Sequence, residues 1–82
     1  MKRHFKHWSD SDLGEGVCYV EFTGDWPSRQ VEIAGDTWRW GDNEHSEWLA
    51  DQPFSVCGLD DVYKIPEDEF ERIWQEAMRR SP

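Results

Sequence analysis

The C-terminal segment from Ile65 to Arg80 constrains the fold of this chain more than any other stretch, because its pattern fits one kind of element. Apolar residues recur there at the spacing i, i+3, i+4, i+7 and i+8, which is typical of an amphipathic helix; they are Phe70, Ile73, Trp74, Ala77 and Met78. Pro66 suits the first helical turn. Since a helix of this length is marginal alone in water, we expect the rest of the chain to supply a surface for its apolar stripe.

The length of 82 residues predicts a single domain, residues 1–82, with a small core. Six tryptophans offset the small size, because each aromatic ring buries a large area. No apolar run has the length of a membrane span, and the first residues lack the hydrophobic stretch of a signal peptide. These features predict a cytoplasmic protein.

The charge of the chain is strongly acidic. Eighteen acidic and nine basic side chains give a formal net charge of −9. Seventeen of the acids lie between Asp10 and Glu71, where the only bases are Arg29, Arg39 and Lys64. This balance disfavours direct binding to nucleic acid or to an anionic membrane.

The part of the chain before the helix is typical of strands joined by turns. The strands are predicted at Arg3–Trp8, Val17–Phe22, Arg29–Ala34 and Thr37–Trp40, the last two forming a hairpin closed by Gly35 and Asp36. The remaining segments are predicted as an exposed loop at Ser9–Gly16, a break at Thr23–Ser28, a mostly irregular stretch at Gly41–Pro53 with one helical turn, and a short last strand at Val62–Ile65. We therefore predict an α+β fold, a small antiparallel sheet of three to five strands with one C-terminal amphipathic helix packed on one face.

The chain resembles a family of small uncharacterised bacterial proteins, a domain of unknown function. The resemblance rests on the strand Arg29-Gln30-Val31-Glu32-Ile33, on a Leu-x-(Glu/Asp)-x-Pro stretch and on the ending Glu69-Phe70-Glu71-x-Ile73-Trp74-x-x-Ala77, within residues 17–77. This sequence has Pro66 where the family often has a capping serine, and its Trp38-Arg39-Trp40 hairpin departs from the family pattern. The resemblance implies a fold and supplies no activity.

The residues that could carry catalysis or bind a metal do not form a convincing pattern. Acidic pairs are abundant, but a carboxylate dyad needs a cleft that so small a chain rarely forms. On a strand, His4 and His7 face opposite sides, so we expect them and His45 to be solvated rather than metal ligands. Cys18 in an apolar strand should have a raised pKa; whether it pairs with Cys57 stays open. We expect no catalytic residues, no metal and no cofactor.

Acidic residues interleaved with aromatic ones form the strongest candidate site. Trp38 and Trp40 share one face of a predicted strand, and the residues after them continue the mixture. Carboxylates speed the encounter with a basic surface and desolvated aromatic rings hold the complex, so we predict partner binding through Trp38, Trp40, Asp42, Glu44, Glu47, Trp48, Asp51, Asp60 and Asp61. Core tryptophans within a solubilising acidic shell would give the same sequence pattern.

Two functional hypotheses follow from this pattern. The first is a non-enzymatic acidic protein-binding module, an inhibitor that occupies the basic, nucleic-acid-binding surface of a partner. Anti-CRISPR proteins and immunity proteins against nuclease toxins are comparable in size and charge, which is an analogy of composition. The second is a small ligand-binding domain or enzyme with a pocket between sheet and helix lined by Trp38, Trp40 and Trp74. The oligomeric state is left open by the sequence.

Overall fold

The computed structural model describes residues 1–80 and shows an α+β arrangement. Four antiparallel strands form one sheet in the order β1-β2-β3-β4, with bounds β1 (Lys2–Ser11), β2 (Gly14–Thr23), β3 (Trp26–Ala34) and β4 (Thr37–Asp42). After the sheet, the chain forms a 3-10 turn (Ser46–Trp48), a one-turn helix α1 (Phe54–Cys57), a second 3-10 turn (Asp61–Tyr63) and the C-terminal helix α2 (Glu67–Arg80). Each pair of neighbouring strands is joined by a two-residue turn, so the sheet is a simple meander.

The helix α2 confirms the periodic pattern of the sequence. Phe70, Trp74 and Ala77 are buried, and they form one core cluster with Tyr19 and Val31 of the sheet. Acidic residues occupy the first turn of α2 and arginines occupy the last, and these charges interact favourably with the helix dipole.

A second core cluster contains Phe5, Val20 and Phe22, against which Phe54 and Leu59 pack. Consecutive residues of a strand point to opposite sides, so Val20 and its neighbour Tyr19 place the two clusters on opposite sides of β2. The segment between β4 and α2 therefore has a packing role of its own, which its scattered apolar residues did not reveal.

The predicted loop at 9–16 is wrong. β1 continues to Ser11 and β2 begins at Gly14, so only Asp12 and Leu13 lie in the turn. The Leu13 N–H donates to the Ser11 hydroxyl (3.1 Å), and Gly14 has a φ of 100°, which suits glycine. Turn-forming residues also populate the exposed end of a hairpin, where cross-strand pairing satisfies the backbone.

The predicted break at 23–28 is shorter than expected, because only Gly24 and Asp25 separate β2 from β3. Pro27 belongs to β3, which it can do because β4 pairs with β3 only from Arg29 onwards. Without a neighbour on that side, the missing N–H of proline costs no ladder hydrogen bond.

The predicted last strand at 62–65 is also wrong. Half of it, Val62 and Tyr63, lies in the second 3-10 turn, which the Asp60 carboxylate caps by accepting the Val62 N–H (3.1 Å). An isolated bridge between Phe5 and Lys64 and a hydrogen bond from the Ile65 N–H to the His4 carbonyl (2.9 Å) attach this stretch to β1. Among residues 1–80, no helix has the length and apolar character needed to cross a membrane.

Candidate protein-binding site

The predicted partner-binding residues lie on β4 and in the segment that follows it. Trp38 and Trp40 are half-buried and pack against the core cluster of α2; the Trp40 and Trp74 rings meet edge to face at 5.7 Å between centroids. The other predicted residues belong to residues 42–61, which we call the acidic segment because they contain no lysine or arginine. Glu44, Glu47, Asp51, Asp60 and Asp61 are all exposed.

A groove of about 410 Å³ runs along the outer side of β4, and we call it the edge groove. Its lining residues are Trp38, Arg39, Trp40, His45, Ser46, Glu47 and Trp48. The structure thus brings together three of the predicted tryptophans and one predicted carboxylate. Asp51, Asp60 and Asp61 are not among the lining residues.

Asp42 fixes the backbone conformation at the start of the acidic segment through hydrogen bonds. Its carboxylate accepts the N–H groups of Glu44 (3.0 Å) and His45 (2.8 Å), and its own N–H donates to the His45 carbonyl (3.0 Å). Burial alone would raise the pKa of the Asp42 carboxyl, but these hydrogen bonds lower it below its ordinary value. Asp42 is therefore a structural residue of the site as well as a charged one.

Gly41 lets the acidic segment cross β4 closely. A Cβ atom at this position would lie 2.8 Å from the Leu49 nitrogen and 2.9 Å from the carbonyl carbon of Trp48. Any side chain larger than hydrogen would push the 3-10 turn away from the strand. The glycine after Trp40 was the only sequence signal for this crossing.

Arg39 holds the same segment by stacking on Trp48, and ion pairs with other parts of the chain hold Arg39 itself. Its guanidinium carbon lies 4.0 Å from the centroid of the Trp48 ring, and its Nη2 lies 2.6 Å from the buried Glu32 carboxylate. Two further hydrogen bonds reach the Asp12 carboxylate (3.1 and 3.0 Å). Burial would raise the pKa of Glu32, but hydrogen bonds from the serine hydroxyls of β1 and from Arg39 lower it.

A second charged network lies beside α2, and the sequence did not reveal it. Glu21 is 2% exposed and binds the Arg29 guanidinium, whose Nε donates to its Oε1 at 2.9 Å. Arg29 also bridges to Glu71 on α2 (2.8 Å). His4 is 4% exposed with its Nε2 3.0 Å from Glu21, so the prediction that this histidine is solvated is wrong.

The Glu21 carboxyl stays ionised through this network. Burial acts to raise its pKa, but hydrogen bonds from Arg29, Ser28 and His4, together with the Arg29 charge, lower it to about 2. Arg29 in turn lies 5.1 Å from the ring centroids of both Phe70 and Trp74. The arrangement satisfies a buried acid and links the sheet to α2.

The cysteines and histidines are dispersed. Cys18 is buried and Cys57 exposed, and both are free thiols. Burial, and secondarily the Glu32 charge, raises the pKa of Cys18 to about 12, which confirms that prediction. Within residues 1–80, His, Cys, Asp and Glu side chains form no cluster of three or more that could hold a metal ion.

Trp8 is an exposed aromatic residue that the sequence analysis did not assign. It is 84% exposed on β1 and, with Val17 and Ile33, lines a cleft of about 540 Å³. Strand alternation did not indicate this, because Trp8 lies on the same side of β1 as the buried His4.

Comparison with models of protein families, with curated proteins and with solved structures finds no match for the chain. The resemblance to the family of small bacterial proteins therefore stays a prediction.

Proposed function

We propose that this protein is a non-enzymatic protein-binding module, an inhibitor whose acidic segment and edge groove occupy the basic, nucleic-acid-binding surface of a partner. One observation supports this most directly. The carboxylates of Glu44, Glu47, Asp51 and Asp61 are exposed and, within residues 1–80, form no ion pair. One of them, Glu47, lines the edge groove together with the half-exposed Trp48, so charge and an aromatic anchor occur together there.

The placement of the basic side chains adds to this argument. Arg29 and Arg39 neutralise carboxylates within the fold, and Arg79 and Arg80 both pair with Glu76 on α2. Residues 42–61 carry six acidic side chains and no lysine or arginine, so they contribute −6 of the formal net charge of −9. In this proposal α2 closes one face of the sheet and leaves β4 and the acidic segment to meet the partner.

The close packing around Trp74 supports this function over a ligand pocket between sheet and helix. Its ring lies 5.7 Å from Trp40 and 6.4 Å from Phe70, centroid to centroid, and the Arg29 guanidinium stacks on it. These contacts occupy the Trp74 ring, which a ligand site between sheet and helix would need to leave accessible.

The test begins with a partner captured from a native lysate and identified by mass spectrometry, whose association with the purified chain is then measured against salt. We expect the affinity to fall steeply as the ionic strength rises, because surface charges are screened. The double variant Glu44→Lys/Glu47→Lys should slow association by about tenfold or more. It spares Asp42, whose carboxylate supports the local backbone.

The matched control is Asp10→Lys/Glu15→Lys, which makes the same change in net charge at two exposed, directly paired positions of the β1–β2 hairpin. It should slow association much less. A complex that is insensitive to salt, or equal slowing by both double variants, would show that the acidic segment is not the binding face.

A further inference from the structure

The outer edge of β4 presents backbone groups that the sheet leaves unused. Ala34 and Thr37 lie opposite each other on either side of the two-residue β3–β4 turn. In such a pair, the N–H of each residue donates to the C=O of the other. Along β4, every second residue forms such a hydrogen-bonded pair with β3, so Arg39 and Gly41 also point their backbone N–H and C=O groups toward β3. Trp38 and Trp40 therefore direct their N–H and C=O groups away from β3.

Two observed hydrogen bonds agree with this alternation. Asp42 follows Trp38 and Trp40 in this alternation, so its backbone also points away from β3, and its N–H donates to the carbonyl of His45 outside the sheet. The other edge of the sheet is β1, where Ser11 and Gly14 flank the β1–β2 turn as a hydrogen-bonded pair. The same alternation from Ser11 points the backbone of His4 away from β2, and the His4 carbonyl accepts the Ile65 N–H. Each edge is thus capped at one point by the chain itself.

Trp38 and Trp40, whose backbone groups point outward, both line the edge groove. No backbone group of residues 1–80 outside the sheet bonds to them. The Trp38 and Trp40 side chains lie on one side of the strand, and Arg39 and Trp48 lie on the other. A strand edge of this kind is a template for pairing with another extended chain.

We propose that an extended segment of the partner adds to the sheet along β4 as a fifth strand. It makes backbone hydrogen bonds with Trp38 and Trp40, while its alternate side chains meet the tryptophan side and the Glu47 side of the edge groove. This proposal rests on the proposed function, for which it supplies the binding mode.

The charge of the groove surroundings selects the occupant. Exposed Glu47 lines the groove, and the charge of Arg39, which also lines it, is neutralised by Glu32 and Asp12, so lysine or arginine at every second position of the added strand fits best. A second copy of this chain is disfavoured, because each copy carries a formal charge of −9. The occupant is accordingly a basic, extended segment with alternating apolar residues.

The test uses a capped peptide of about ten residues in which lysine and valine alternate, titrated into the isotope-labelled full chain. We expect exchange of the Trp38 and Trp40 amide hydrogens to slow by about tenfold or more at saturation. The amide of Trp8, an outward residue of the opposite edge, serves as the internal control and should not change. The same peptide with N-methyl groups on alternate residues, made in both registers, should lose binding in one register only.

Three outcomes would overturn strand addition. If the peptide binds without protecting Trp38 and Trp40, or binds equally in all methylated forms, the acidic segment is still the binding face but β4 does not pair. If these two amides gain protection as the protein concentration rises without peptide, a second copy occupies the edge. If neither the peptide at millimolar concentration nor polylysine binds at all, strand addition and the proposed function both fail.

Discussion

The guanidinium of Arg39 stacks on the ring of Trp48, with its central carbon 4.0 Å from the ring centroid. This contact joins the middle of the outermost strand to the 3-10 turn of the acidic segment. Because the same guanidinium binds Glu32 and Asp12, these two carboxylates fix its orientation against the Trp48 ring. A residue of β4 thereby sets the position of an aromatic ring in the proposed binding face.

The variant Arg39→Gln should release this ring and leave the buried Glu32 carboxylate without its cation. We expect a loss of about 3 kcal/mol in the free energy of unfolding, as for other broken buried ion pairs. The indole N–H resonance of Trp48 should move and sharpen. Urea unfolding and heteronuclear NMR measure the two effects.

Asp12→Asn is the control for that substitution, since it removes only the exposed partner of Arg39. Surface ion pairs contribute little, so its stability should stay close to that of the parent chain. An Arg39→Gln chain that is as stable as Asp12→Asn, with an unmoved Trp48 resonance, would contradict the role assigned to Arg39.

How much of this could be predicted from the sequence differs between elements. The helix α2 and the β3–β4 hairpin follow from hydrophobic period and turn residues, which are local properties. The pairing of Glu21 with Arg29 depends on register across two strands, where an irregularity lies at Glu21 and Phe22. Sequence spacing does not encode such a shift, so the buried acid was missed.

The candidate site shows the same division. The shared face of Trp38 and Trp40 was predicted by strand alternation and is observed in their common packing against the α2 cluster. That residues 45–49 fold back over Gly41 depends on a long-range approach between two segments, which residue type alone does not specify. The edge groove could therefore be recognised only in the structure.

The Glu21 carboxyl should make stability depend on pH in the acid range. Its pKa is about 2 in the folded chain against an ordinary value of 4.5, so the unfolded chain binds more protons between these values. The stabilisation is present above about pH 4.5 and is lost as the pH falls toward 2. Over this range it amounts to about 3 kcal/mol.

The variant Glu21→Gln isolates this contribution. It should be less stable than the parent chain at pH 7, by about 3 kcal/mol, and the gap should close as the pH falls to 2. Chemical unfolding at a series of pH values measures both curves. Glu71→Gln, at a half-buried position on the same arginine, should show a smaller gap with the same sign. A gap for Glu21→Gln that is constant with pH would contradict the ionised carboxylate.

Two glycines should differ in their tolerance of alanine. A Cβ at Gly16 would lie 2.1 Å from the Ile33 carbonyl oxygen, so Gly16→Ala must separate β2 from β3 and should cost about 3 kcal/mol or more. Gly41→Ala meets backbone at 2.8 Å and should cost less, about 1 to 2 kcal/mol, because the 3-10 turn can move away. Thermal unfolding ranks the two.

The functional outcome separates these two variants further. Gly41→Ala displaces the acidic segment without opening the sheet, so it should weaken partner binding in a chain that still folds. Gly16 lies on β2, which β3 separates from β4, and it has no close contact with the acidic segment, so a folded Gly16→Ala chain should bind better than Gly41→Ala. Unchanged partner affinity in Gly41→Ala would show that the placement of the 3-10 turn is irrelevant to binding.

Trp74→Ala should be the most destabilising tryptophan substitution in the chain. Its ring is buried against Trp40, Phe70 and the Arg29 guanidinium, so truncation leaves a cavity and unstacks a cation, at a cost of about 3 to 5 kcal/mol. Trp8→Ala is the control, because its exposed ring should change stability by less than about 0.5 kcal/mol. Reversible unfolding with an unchanged midpoint in Trp74→Ala would contradict its place in the core. The expected loss of stability would show that the Trp74 ring is needed to hold α2 against the sheet.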